Sequence, residues 1–399
     1  MHVFIITQYF PPEIGASASR WGDYAKILID QNHKVTILCE SPHYPNAKFY
    51  EGYDNSWSHV DTNSPQLTII RSKAYASNRK TFLKKLSHYL MFMFSAIFNS
   101  KKVTDFDLLI VSSPPLFTGI IGLFLNRFHK KKYYLDVRDI WPESALELGQ
   151  LKKGFIYNLG KKLELKIYEF SEGFIFPVPG FKDYLENLPK KISRKPMFEL
   201  MNGVSNDFIS EFRSLKVSTD KKFTVLYSGN IGLAQDLKTI IKSAEILKEY
   251  DIFFKFIGEG VCKKEIEFLA KPFLNKIDFY NPMPRKELIK HIKKASLCLV
   301  PLKNKKLFES ALPSKMFEYM ACGKPVVVGI KGEAKKIIHN SKSGMAVEPE
   351  NAKILSEAIL SYYHDRDKCR IDGKNGMTYI TKKLTKELLI SKLLNELKK

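Results

Sequence analysis

Strand-length apolar runs alternate with helix-period segments along almost all of this chain, and that alternation restricts it to parallel sheets covered by helices. In the first half the runs lie near residues 3–7, 35–39, 108–112, 133–137 and 173–177. In the second half they lie near 224–228, 253–257, 277–280, 297–301 and 326–328, so each half has a complete set. Periodicity lapses between residues 189 and 224, apart from a short strand at 198–201, which places a junction there. At 399 residues the chain is longer than a single hydrophobic core serves. The reading is an α/β chain of two doubly wound domains, residues 1–200 and 201–380, facing a central cleft. The carboxyl ends of such sheets are where ligands bind. The last segment, 381–399, contains an amphipathic helix over 384–397.

The formal charge of +22 calls for an anionic partner: nucleic acid, an anionic membrane surface or phosphorylated substrates. Arginine is sparse, and the sequence has no zinc finger, RNP-type aromatic motif or tract of only Lys and Arg, which argues against nucleic acid. Residues 89–98, YLMFMFSAIF, have about half the length of a membrane-spanning helix and are flanked by Lys84-Lys85 and Lys101-Lys102. They read either as a helix in the interface of an anionic membrane or as a core helix of the first domain. No other segment approaches spanning length, so an integral membrane protein is not expected. The five cysteines, Cys39, Cys262, Cys298, Cys322 and Cys369, are scattered without a C-x-x-C pair, suggesting neither a zinc site nor a disulfide framework. The N-terminal MHVFIITQYFPP has no basic n-region and no small-residue cleavage site, and reads as the first core strand of an unprocessed cytoplasmic protein.

One stretch concentrates the parts of a ligand site: residues 312–328, LPSKMFEYMACGKPVVV. Pro313 and Ser314 suit the first turn of a helix, Gly323 suits a left-handed stop after Cys322, and an apolar strand follows at 326–328. The free N–H groups and positive dipole end of that helix can hold phosphate oxygens, with Lys315 adding a full charge. Glu318, one turn onward, suits a vicinal diol such as a ribose. The competing reading is an ordinary amphipathic helix whose Lys and Glu face water.

The same stretch resembles the signature of retaining glycosyltransferases of family 4, the GT-B type that transfers sugars from nucleotide diphosphates. The resemblance extends in order through QYFPPEIGASASRWGDYAKIL (8–28), SSPPLFTG (112–119), LDVRDIWPESALELG (135–149), NGVSNDF (202–208), YSGNIGLAQDL (227–237) and FIGEG (256–260). It is nearest to the bacterial surface-polysaccharide branch, which resembles N-acetyl-L-fucosamine transferases of O-antigen and capsule assembly. The resemblance implies two Rossmann-like domains, with acceptor binding in the first, the nucleotide sugar in the second, and a C-terminal helix crossing back onto the first.

In the donor half, Gly229, Asn230 and Gly232 follow a strand and precede a helix, where backbone can approach a pyrophosphate closely. A tight strand-to-helix connection would look the same. The G-x-G-x-x-G spacing of a dinucleotide site is absent. Gly258 and Glu259 end the next strand and, by the resemblance, border the nucleobase. Ser310, Ser314, Lys315 and Glu318 complete the expected donor set. Many relatives carry an E-x7-E pair ending at the equivalent of Glu318; here Ser310 stands at its first position, with Glu309 one residue off. Relatives also place Arg and Lys after the glycine turn, where this chain has Gln235, Asp236 and later Lys238.

In the acceptor half, Gly15, Ser17 and Arg20 lie around the start of a helix after the first strand and suit sugar hydroxyls or a phosphate, with Arg20 otherwise a solvated helix residue. His43 follows the second strand, as a cleft residue or an ordinary loop histidine. Arg138 and Asp139 sit just past a strand end, Arg138 standing where many relatives have His. They read as an acceptor-orienting, proton-assisting pair or as a structural ion pair. Catalysis is assigned to Asp139, Arg138 and Lys315. No carboxylate pair is arranged for double displacement; the resemblance implies front-face departure of the nucleotide diphosphate. Asp105-Phe106-Asp107 and Asp365-Arg366-Asp367 read as surface carboxylates, and no metal or other cofactor is expected. The expected partners are a UDP-sugar, an N-acetylated deoxyhexose donor such as N-acetyl-L-fucosamine, a polyprenyl-diphosphate-linked saccharide and the inner face of an anionic membrane. The alternatives are a UDP-sugar 2-epimerase and a nucleotide-sugar-binding regulator without turnover.

Overall fold

A computed structural model describes residues 1–13, 15–44, 47–76, 82–147, 149–216 and 222–398. The chain forms two compact units, Met1–Met201 with Ile390–Lys399, and Asn202–Leu389. Residues 217–221 of the expected junction lie outside the described residues.

The first unit holds β1 (His2–Ile6), β2 (Lys34–Glu40), β3 (Ser58–Ser64), β4 (Leu67–Ser72), β5 (Leu108–Ser113), β6 (Tyr134–Val137), β7 (Gly173–Phe176) and β8 (Met197–Glu199). They form one sheet in the order β3-β4-β2-β1-β5-β6-β7-β8, parallel throughout except for the antiparallel pair β3 and β4. Every residue of β5 is buried, because helices cover both faces of the sheet centre. The helix Leu116–His129 lies close because Gly119 and Gly122 face bulky neighbours: an added Cβ would come within 2.8 Å of Ile167 and 3.0 Å of Tyr133. The β3–β4 hairpin was not expected from the sequence. Ser58–Ser64 reads SHVDTNS, too polar to resemble a core strand, and it forms the sheet edge, where only one neighbour is needed.

The second unit holds β9 (Phe223–Ser228), β10 (Ile252–Ile257), β11 (Ile277–Tyr280), β12 (Leu297–Pro301), β13 (Val326–Gly329) and β14 (Gly344–Ala346). Their order is β11-β10-β9-β12-β13-β14, all parallel, the 3-2-1-4-5-6 arrangement of a doubly wound sheet. The direction of winding reverses between β9 and β12, so the loops leaving these strands are the ligand-facing ones. Its core packs Phe223, Val225, Tyr227, Phe254 and Phe256 with Ile240, Leu355, Ile359 and Tyr362. The short β14 was not foreseen, since Gly-Met-Ala carries no β-branched residue.

The helix Ser314–Ala321 starts after Pro313 and ends at Cys322, with Gly323 at φ +62° as its stop. Close packing holds it: Tyr319, fully buried, accepts the Ser228 N–H at 2.7 Å at the end of β9. The last helix, Lys386–Leu397, begins in the second unit, where Val204 and Thr385 form a parallel bridge, and passes into the first at Ile390. The expected boundary at 381 therefore falls inside the preceding helix, Arg366–Lys383. In the first unit Gln31 donates to the Ser391 hydroxyl at 3.0 Å, and Ile390, Leu393 and Leu394 are buried.

Candidate functional site

In the second unit the turn leaving β9 runs beside the turn leaving β10. The Gly229 N–H donates to the Ile257 carbonyl at 2.8 Å, and the Ile231 N–H to the Glu259 carbonyl at 2.9 Å. Gly229 has φ +128° and Gly258 φ +153°, and a Cβ on Gly258 would overlap the Gly229 carbonyl, so only glycine lets the two turns touch. Lys315 reaches the same place from the first turn of its helix. A Cβ on Gly229 would lie 2.6 Å from Lys315 Nζ, which donates to Tyr227 Oη at 2.9 Å and stands 4.1 Å above that ring. Tyr227 Oη in turn donates to the Asn230 carbonyl at 2.5 Å. Burial lowers the Lys315 pKa to about 7, although Glu318 one turn along pulls it upward. This ammonium is held poorly solvated beside an open glycine turn at a helix N-terminus, an arrangement that favours an anion.

Gln235 accepts from the Gly232 N–H at 3.2 Å and braces the turn from within. Lys238 pairs with Glu265 at 2.5 Å, so the later lysine is spent on its own surface. Glu259 is exposed and pairs with Lys263 at 2.9 Å, while Lys263 also donates to Asn281 at 2.6 Å and ties the loops after β10 and β11 together. Ser310 ends a 3-10 turn, Lys306–Ser310, and its hydroxyl turns back to the Leu307 carbonyl. Gly332, at φ +72°, packs directly on the neighbouring Glu309 carbonyl. The structure thus gathers Gly229, Asn230, Gly258 and Lys315 into one contact cluster, with Glu318 beside Lys315. Tyr227 and Lys263 organise it and were not singled out from the sequence, though Tyr227 lies two residues before Gly229.

The first unit revises two expectations. Arg20 is not solvated: it is 3% exposed and its guanidinium meets Asp136 at 3.0 Å. Arg138 pairs with Asp136, its Nε 3.5 Å from Oδ2, and not with Asp139. Asp136 sits on β6 facing the sheet interior and also accepts from Ser112 Oγ at 2.8 Å and Trp21 Nε1 at 3.2 Å. One buried carboxylate thereby gathers both arginines. Burial lowers the Arg138 pKa to about 10 against the pull of Asp136. Asp139 has its pKa raised by burial, opposed by hydrogen bonds from Ser144 and the Ile140 backbone. Asp136 was missed because a strand-interior Asp between apolar neighbours carries no motif.

Gly15 caps the helix Ala16–Asp30 with extended backbone, and its carbonyl accepts the Ser19 N–H at 2.9 Å. The Ser17 hydroxyl oxygen is buried with no hydrogen-bond partner among the described residues. His43 is not an exposed loop histidine: it is buried, its N–H donates to Glu13 at 3.0 Å, and its ring contacts His88 edge-on.

Residues 209–378 match the family described as Glycosyl transferases group 1. These residues carry a Glycosyl transferases group 1 domain. Across its whole length and that of the relative, it is 22% identical to a putative colanic acid biosynthesis glycosyl transferase of Escherichia coli. It is 24% identical, over 56% of this chain and 58% of the relative, to the N,N'-diacetylbacillosaminyl-diphospho-undecaprenol alpha-1,3-N-acetylgalactosaminyltransferase of Campylobacter jejuni. In fold it is similar to the Anabaena protein HepE in complex with UDP, with a TM-score of 0.65, 12% identity and full coverage of both chains. The chain thus has relatives named as glycosyltransferases, one of them of polysaccharide biosynthesis.

Removing the Asp136 carboxylate should expose how much of the first unit hangs on it. Asp136→Ala leaves the Arg20 charge buried without that partner and should cost about 3–5 kcal/mol. Urea denaturation reads this out, and an unchanged midpoint would show that Asp136 is not the hub.

Proposed function

We propose that this glycosyltransferase transfers a sugar, with retention of anomeric configuration, from a UDP-sugar to a polyprenyl-diphosphate-linked saccharide in surface-polysaccharide assembly. The contact of Lys315 with the Gly229 turn carries the donor half of this reading. A diphosphate placed there meets open backbone, a helix N-terminus and an ammonium together. Glu318 then accepts from the ribose diol. UDP is favoured because HepE, of similar fold, forms a complex with UDP. A polyprenyl-linked acceptor and an N-acetylated donor sugar are favoured by the name of the Campylobacter jejuni relative, while N-acetyl-L-fucosamine rests on the sequence resemblance alone.

In the proposed reaction the diphosphate leaves from the face on which the acceptor hydroxyl enters, and a phosphate oxygen takes the hydroxyl proton. The protein's part is to stabilise charge on the leaving group and to hold the acceptor. Lys315 and the helix start do the first. Asp139, Gly15 and Ser17 are assigned the second, with Arg138 positioning through Asp136. The diphosphate is assigned to Lys315 and not to a metal. Both D-x-D motifs have local roles: Asp107 accepts the His2 N–H at 2.6 Å, Asp365 caps its helix and Asp367 pairs with Arg370 at 3.0 Å.

Calorimetry with a UDP-sugar, whose diphosphate does not titrate near neutrality, tests the donor site. Free Lys315, with a pKa near 7, is charged below that pH and loses its proton above it. A bound diphosphate needs the charged form, so binding takes up a proton above about pH 7 and affinity should fall as pH rises from there. Lys315→Met should weaken binding and flatten that dependence. Glu318→Ala should weaken binding by about 1–3 kcal/mol if it holds ribose through charged hydrogen bonds. A wild-type affinity that does not vary with pH, together with an unaffected Glu318→Ala variant, would overturn the site.

Membrane contact is assigned to one face of the helix Phe82–Ser100. No helix among the described residues is long and apolar enough to cross a membrane. The helix buries Phe92, Met93, Ala96 and Asn99, yet exposes Phe94 at 58% and Phe98 at 57%. It packs on Leu116–His129, which exposes Phe128 at 70%. Lys101 and Lys102 stand 5.2 and 5.5 Å over Phe124 and Phe98. Aromatic rings ringed by lysines suit an anionic interface. Replacing Phe94, Phe98 and Phe128 together with Ser should reduce sedimentation with anionic vesicles several-fold; equal sedimentation would remove the assignment.

A further inference from the structure

A second polar cluster lies in the first unit and shares no ionic group with the Asp136 hub. Glu40 ends β2, His43 follows in the next loop, and His88 comes from the helix Phe82–Ser100; all three are buried. One ligand-capable atom from each lies within 4.8 Å of the other two. His88 Nε2 is 3.6 Å and His43 Nδ1 3.8 Å from Glu40 Oε1. Two atoms bound at about 2.0–2.1 Å to one tetrahedral ion sit roughly 3.4 Å apart, so Glu40 and His88 need only small side-chain rotations, while His43 must turn its ring to bring Nε2 to the ion, since its Nδ1 faces the Ser41 carbonyl.

The hydrogen bonds around the cluster prepare the rings for such a role. His88 Nδ1 lies 2.9 Å from the Tyr75 carbonyl, and His43 Nδ1 lies 3.0 Å from the Ser41 carbonyl. A carbonyl only accepts, so each Nδ1 carries the hydrogen and Nε2 is the nitrogen left to ligate; His88 Nε2 accepts from Gln8 Nε2 at 2.7 Å and lies 3.3 Å from Tyr9 Oη, contacts that an ion would replace. A backbone carbonyl holding one imidazole nitrogen while the other binds is the usual support of a metal-ligating histidine. Gln8, 1% exposed, supplies an independent sign. Its Nε2 bonds Glu40 Oε2 at 2.7 Å and lies 2.7 Å from His88 Nε2, while its Oε1 is buried without a hydrogen-bond partner among the described residues. A buried carbonyl oxygen so placed costs free energy unless something binds it.

We propose that Glu40, His43 and His88 hold one divalent transition-metal ion of the zinc class, with Gln8 Oε1 as a fourth ligand once the side-chain amide turns over to replace the Nε2 that faces Glu40 and His88 here. Two imidazoles, a carboxylate and an amide oxygen form a borderline donor set suited to such an ion. Glu13, whose Oε1 accepts the His43 and Tyr44 N–H groups, supplies the second carboxylate that balances the charge. The ion links β1, through Gln8, with the end of β2 and the helix that exposes Phe94 and Phe98. It makes no claim on the donor diphosphate, and it revises the expectation of a metal-free chain. No sequence spacing announced it, because the two histidines lie 45 residues apart.

The test uses the full chain without a histidine tag, stripped by a chelator and titrated with Zn²⁺ alone. One ion should bind per chain and raise the melting temperature, and Co²⁺ should give the visible absorption of a four- or five-coordinate site. His88→Gln and Glu40→Gln should each weaken Zn²⁺ at least ~10-fold, as loss of a coordinating or supporting group does, while UDP-sugar affinity is unchanged. Absence of Zn²⁺ binding by the folded wild type overturns the proposal, as does unchanged binding in both variants. If the variants fail to fold, wild-type stoichiometry and the cobalt spectrum decide.

Discussion

The second unit depends on one close approach: the Lys315 ammonium held against the Gly229 turn. Three separate features converge to make it. Glycines at 229 and 258 let two strand-leaving turns lie backbone to backbone, with no side chain between them. Tyr319 fastens the Ser314–Ala321 helix to the end of β9, setting the distance from which Lys315 reaches. Tyr227 then receives the ammonium on its hydroxyl and its ring face. Desolvation keeps this charge costly, which is the physical reason an anion would be welcome there.

The first unit is organised on a different principle. A single carboxylate, Asp136, takes Arg20 from one helix, Arg138 from the loop after its own strand, and donors from Trp21 and Ser112. Burying these charges together is tolerable because the carboxylate meets both arginines, although the Arg20 and Arg138 Nε atoms lack hydrogen-bond partners of their own among the described residues. Asp139 makes its hydrogen bonds elsewhere, to Ser144 and the Ile140 backbone, and feels the network only through the charge of Arg138. The unit's surface follows the same division of labour. The helix Phe82–Ser100 turns Phe92 inward and Phe94 outward, so one apolar segment serves both the core and an exposed aromatic face.

Most of the architecture was legible before any coordinates. Buried parallel strands are continuous apolar runs, so β1, β2, β5, β6, β7 and β9 through β13 announced themselves, with ends displaced by at most a residue or two. The polar edge strand β3 and the three-residue β14 did not, because pairing and position decided them and not composition, whereas β4, LTIIRS, carries the apolar run of a strand. The helix at Ser314 was readable through its cap and stop residues, since both act on the local backbone.

Local chemistry therefore sufficed for periodicity, caps and the glycine turn, and for the likeness that marks the chain as a glycosyltransferase. Which charges meet was settled only by three-dimensional packing: Arg138 with Asp136 in place of Asp139, Lys315 on Tyr227, His88 beside Glu40. The reason is physical. Backbone preference is set within a few residues, whereas the energy of a buried charge depends on groups that only folding brings within a few ångströms.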